Sequence, residues 1–142
     1  MHGLRIVLAL IAPPMIYGLL CLPLTQWALS LFPGAVSDEG AVLEVGATLA
    51  IEAIQCLTLL ICGITIAAMT PIKASRSLIL GLATALMLAI AVVVQRQYWH
   101  DMLIWHHFVF FMMILAVQPL GAIGFWRFSN TRDEGDAPNA AP

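Results

Sequence analysis

Charge is what this sequence has least of. Only 10% of its 142 residues are Asp, Glu, Lys or Arg, and the six Lys and Arg form no run or stripe. Affinity for nucleic acid rests on cations that neutralise successive phosphates, so nucleic-acid binding has nothing to stand on. Cysteine is also sparse. Cys21, Cys56 and Cys62 sit inside apolar runs, form neither a C-x-x-C pair nor a Cys/His zinc spacing, and read as small buried hydrophobes. No Glu is followed three residues later by His, which removes the di-iron bundle motif. Outside residues 98–108 the sole histidine is His2, which the topology below puts at the opposite membrane face, so one chain cannot clasp a haem between two histidines. No Ser or Cys stands in a nucleophile motif, and a Gly-rich phosphate loop is missing. No cofactor is predicted; a bound metal ion is the one inorganic ligand these residues allow.

What is present is apolar, 61% of the chain. A membrane-spanning helix needs about 20 mostly apolar residues, and four such runs fill the sequence. The expectation is an all-α, integral membrane four-helix bundle with short loops. One domain covers residues 1–128, with helices near 6–31, 41–69, 78–95 and 102–126. Residues 129–142, rich in Asp, Asn, Ala and Pro, read as a disordered tail. The start of the chain also resembles a secretory signal, with a small-residue cut site at Ala35-Val36-Ser37. Its uncharged stretch from Ile6 to Ser37 far exceeds the roughly 7 to 15 residues of a signal's apolar region, so a retained first helix is expected. Leu20 is too bulky to precede a lipid-modified Cys21.

Lys and Arg in short loops stay on the cytoplasmic side. Arg5, Lys73, Arg76, Arg127 and Arg132 fall on one side of the four runs and Arg96 alone on the other, so both termini are read as cytoplasmic. The loops around residues 33–40 and 95–101 then face outward. Trp27, Tyr98, Trp99 and Trp105 suit the outer interface and Trp126 the inner one. Pro13, Pro14 and Pro23 each remove an amide donor, so the first helix is expected to be kinked or broken. In the third, Gly81, Ala85 and Ala89 recur every four residues and offer a small face to another helix.

Buried charge is costly in lipid, roughly 2.5 to 3.5 kcal/mol on insertion scales, so Glu52 in mid-run asks for a role. At about 100° per residue, Glu44, Thr48, Glu52 and Gln55 share one broad face, continued by Thr58. On the fourth helix His100, His107, Phe111 and Gln118 fall on one line, whereas His106 points about 100° away from His107 and belongs to another surface. The second and fourth helices run in the same sense, and similar spacings make a two-rung ladder, Glu44 with His100 and Glu52 with His107, with Arg96 and Asp101 at its mouth. Such carboxylate–imidazole rungs share protons. His100, His107 and Glu52 are the metal-ligand candidates.

Three functions follow. The favoured one is an accessory, assembly or partner-binding subunit of a larger membrane system, docking through Gly81, Ala85 and Ala89 or through the cluster of Phe108, Phe110, Phe111, Met112 and Met113. The second is proton- or metal-ion-coupled transport along Glu44, Glu52, Gln55, His100 and His107, with a homo-oligomer supplying space. The third, less favoured, is an enzyme acting on a lipid or quinone. The expected setting is a lipid bilayer, taken as a bacterial inner membrane, with a membrane-protein partner or a second copy.

Overall fold

The structure, a computed structural model, describes residues 2–38, 40–42, 44–70, 72–97 and 99–135. It is all-helical: α1 (His2–Ser30), α2 (Val45–Met69), a short 3₁₀ turn (Lys73–Ser75), α3 (Arg76–Gln97) and α4 (Ile104–Gly135). All four α-helices are long and apolar enough to cross a membrane. α1 runs unbroken through Pro13, Pro14 and Pro23. With no water to take up broken hydrogen bonds, a helix in lipid keeps every intrahelical bond that the missing proline donors leave available.

α2 is the central element. It packs against α1 on one side and α4 on the other, and α3 closes the ring between α1 and α4. Ala9 and Pro13 of α1 meet Ile66 and Cys62 of α2, so this pair is antiparallel. Glu52 with His106, Gly63 with Gln118 and Ala67 with Trp126 run in the same order along both helices, so α2 and α4 are parallel. Between lipid-bathed helices packing matters more than apolar burial, and here two glycines let the backbones close in. A Cβ on Gly63 would be driven into the Gln118 carbonyl, and one on Gly121 would lie 2.6 Å from the Leu60 carbonyl oxygen. Leu59, Met87, Ala91, Phe110 and Ile114 fill the centre of the bundle.

Both ends are tied by hydrogen bonds. At one, Trp126 Nε1 donates to the Ala67 carbonyl at 3.1 Å, which closes the last turn of α2, and the Arg76 guanidinium sits 5.1 Å from the Trp126 ring centroid. Trp126 is thus buried between helices, not displayed as the expected interfacial anchor, whereas Trp27 and Trp99 are exposed. At the other end a tight loop follows α1. Gly34 and Gly40 take positive φ of 88° and 90°, Val36 bridges Val42, and Val42 N–H donates to the Asp101 carbonyl at 2.7 Å.

Three expected boundaries move. Residues 41, 42 and 44 precede α2 as extended chain, because the Ala41 amide is bonded to Ser37 Oγ and the Val42 amide to Asp101. α3 continues to Gln97, two residues past its expected end, which sets Gln95 within its last turn. α4 begins only at Ile104 but runs to Gly135, so residues 129–135 are helix and not disordered tail. Lack of apolar periodicity removes tertiary packing, not local helicity, and residues 127–134 contain neither Gly nor Pro. The rest of the expected tail, 136–142, and Tyr98 lie outside the described residues.

Candidate functional site

The polar face of α2 turns inward as its periodicity requires: Thr48, Glu52, Gln55 and Thr58 are all buried. The two threonines satisfy themselves, Thr48 Oγ1 donating to the Glu44 carbonyl at 3.0 Å and Thr58 Oγ1 to the Ile54 carbonyl at 2.8 Å. Glu52 and Gln55 have carboxylate and amide groups that no local backbone bond absorbs.

α4 answers with two adjacent histidines, both at most 2% exposed. His106 faces α2, its Nδ1 2.7 Å from Glu52 Oε1. The pair stands at ion-pair distance but off the line of a straight hydrogen bond, and both Glu52 oxygens, His106 Nδ1 and Gln55 Oε1 are buried without a hydrogen-bond partner. His107 faces the other way, toward α3, where Nδ1 bonds to the Gln95 amide oxygen and Nε2 lies 3.2 Å from the Trp99 carbonyl. Both nitrogens can donate to oxygen only if the ring is cationic. With the Gln95 amide turned over, its NH₂ donates to Nδ1 and a neutral ring donates to Trp99, which avoids an unpaired buried charge. Trp99 also stacks on His107, centroids 4.3 Å apart. His107 is therefore locked on both edges and one face, while His106 Nε2 has no hydrogen-bond partner among the described residues.

His106 borders a cavity of about 470 Å³, bounded by α1, α3 and α4 and floored by α2. Its walls are chiefly apolar: Leu22 and Leu29 of α1, Met87 and Ile90 of α3, and Phe110 of α4. Its polar lining comes from Tyr17, Thr25, Gln26, Gln55, Gln95, Asp101 and His106. Among the described residues no Lys or Arg lines it.

The expected ladder is reassigned on this geometry. Its inner rung is Glu52 with His106, not His107; its outer rung does not form, since Glu44 and His100 are both exposed and share no ion pair. His100 precedes α4 in a turn, so helical angles counted from it do not apply. Among the described residues no three His, Cys, Asp or Glu side chains come together to hold a metal, and His100, His107 and Glu52 point to three different surroundings. Gln118 is fully buried on the His107 side of the helix, its amide unpartnered. Gly81, Ala85 and Ala89 are exposed, and Gly81 and Ala85 border a groove whose other wall is Leu115, Pro119 and Ile123 of α4. His106, Gln95 and Tyr17 were the residues that periodicity did not bring forward. Comparison with protein-family models, characterised proteins and solved structures finds no match to this chain.

Proposed function

We propose that this chain is a multi-pass protein of a cell membrane, a bacterial inner membrane in our reading, which holds a lipid-soluble small molecule in the cavity beside His106. The observation that carries this reading is a buried polar cluster, Glu52, Gln55 and His106, left with unmet hydrogen-bonding capacity beside an apolar cavity. An unsatisfied buried polar group costs about 1–3 kcal/mol. A volume near 470 Å³ lies in the range of small-molecule sites, roughly 300–1,000 Å³, which are apolar with few polar groups. The five-to-one distribution of Lys and Arg supports cytoplasmic termini, and the cavity then lies in the outer half of the bilayer.

The test is chemical. Protein purified in mild detergent is extracted with organic solvent and its small molecules compared by mass spectrometry with those of Gly18→Trp. Gly18 lines the cavity and a Cβ there meets nothing within 4 Å, so the indole enters open space. A species abundant in the wild type and depleted in the variant is expected; identical extracts would sink the reading.

A second reading, the accessory subunit, rests on the exposed Gly81, Ala85 and Ala89 face. It requires a stoichiometric companion on mild-detergent pull-down that Ala85→Leu releases. The transport reading contracts from a ladder to the single Glu52–His106 rung, and it shares the cavity with the first.

A further inference from the structure

We infer that the occupant of this cavity is a lipophilic amine, bound as its ammonium in exchange for a proton on the Glu52–His106 pair. The inference rests on the cavity reading and adds the class of ligand. Acceptors predominate among the unpartnered buried atoms of the cluster: both Glu52 oxygens and Gln55 Oε1, against the single His106 Nδ1 that stands beside Glu52. With Nδ1 turned to Glu52, a neutral His106 carries its proton there, and Nε2, on the opposite edge of the ring, presents a lone pair to the cavity. A ligand that supplies N–H donors to His106 Nε2 and Gln55 Oε1 meets both needs.

Charge points the same way. The carboxylates at hand, Glu52 behind His106 and Asp101 in the lining, are opposed there by no Lys or Arg among the described residues, so phosphate and carboxylate heads are repelled. Tyr17 and Phe110, whose centroids are 5.8 Å apart, add ring faces that attract cations. The other titratable groups around the pair are Tyr17 and Cys21 on α1, His107 on α4 and Asp101; α3 presents only the neutral Gln95. Before binding, one proton is shared between Glu52 and His106, which keeps the buried charge low. An entering ammonium makes the same neutralisation, so the shared proton is released to solvent. One positive charge enters as one departs, and no bond beyond N–H and O–H is made or broken.

Three probes with one apolar body separate the possibilities: 4-phenylbutylamine, 4-phenylbutanol and 4-phenylbutyrate, titrated calorimetrically into the detergent-solubilised full chain. The amine is expected to bind at least tenfold more tightly than the alcohol and the acid least of all, with close to one proton released per amine in buffers of different ionisation enthalpy. Glu52→Gln should bring amine affinity down to that of the alcohol and abolish proton release. Equal or stronger binding of alcohol or acid to the wild type overturns the amine assignment while the cavity stands. Binding of all three probes unchanged by Gly18→Trp, or no binding at all, overturns the cavity reading itself. Should Glu52→Gln fail to fold, Gln55→Leu carries the same comparison, with a selective loss of amine affinity expected and unchanged amine preference overturning it.

Discussion

Replacing Gly63 by alanine sets two physical effects against each other with opposite signs. Within a helix, Gly→Ala is worth about 1 kcal/mol of added stability. At Gly63, however, the new methyl meets α4 backbone: the Gln118 carbonyl lies in its path, and Ala122 N and Gln118 C lie 3.0 Å away. Backbone atoms cannot rotate aside as a side chain can, so α2 and α4 must separate. Even a gap of about 0.5–1 Å forfeits a quarter to a half of each van der Waals well along the seam, and overpacking costs about 1–3 kcal/mol. The steric term is expected to win by about 1–2 kcal/mol, which lowers the melting temperature by several degrees for a chain of this size. Gly121→Ala should behave alike, with its methyl 2.6 Å from the Leu60 carbonyl oxygen, whereas at Gly81 nothing lies within 4 Å and alanine should be neutral or stabilising. The assay is thermal unfolding of the three variants in one detergent. If Gly63→Ala melts at or above the wild type, the close α2–α4 crossing is refuted, and with it the register that brings His106 to Glu52.

The two histidines should separate by assay. His107→Ala removes a fully buried ring with two polar partners and a stacked tryptophan, and is expected to cost about 2–4 kcal/mol in unfolding measurements, whereas His106→Ala, which also costs stability by leaving Glu52 buried without its partner, is the one expected to abolish amine binding. Trp126→Phe loses the hydrogen bond to Ala67 and should destabilise by about 1 kcal/mol or slightly more, read as earlier hydrogen exchange at the end of α2. For orientation, Ser37→Cys should react with a membrane-impermeant thiol reagent added to intact cells and Ser77→Cys only after lysis; the reverse pattern would invert the topology.

Legibility in the sequence followed the range of each rule. The inward face of α2 was readable because Thr48, Glu52, Gln55 and Thr58 sit well inside one regular helix, where 100° per residue holds. Likewise His107 and Gln118, both on α4, are buried on one line as counted. The count failed at His100, which lies in the turn before α4, and at Glu44, which caps α2 in extended conformation. His106 was set aside by treating the buried arc of α4 as one line. α4 is wedged between α2 and α3, so the arc spans 100° and takes in both histidines, one for each neighbour. Gln95 was hidden by a boundary: the apolar run stops at Val94, but the helix continues to Gln97, and one further turn delivers its amide to His107. Whether α2 and α4 touch depends on Gly63 and Gly121, two glycines without regular spacing, and only the three-dimensional crossing reveals their use.

The same crossing frames the question of what the polar cluster is for. If α2 and α4 carried Glu52 and His106 merely to dock, the pair would be an inefficient device, because the glycine contacts already fix the crossing and the pair leaves buried oxygens unmet. Replacing a buried ion pair by hydrophobic residues of similar volume is often neutral or stabilising by about 1–4 kcal/mol, since the desolvation cost disappears with the charges. The double variant Glu52→Leu/His106→Leu is therefore expected to unfold at or above the wild-type temperature while losing amine binding altogether. A cluster kept at a cost in stability is one kept for binding or proton exchange. The opposite result, a double variant destabilised by more than about 2 kcal/mol and no better than either single one, would make the pair a structural clamp and remove it from the proposed site.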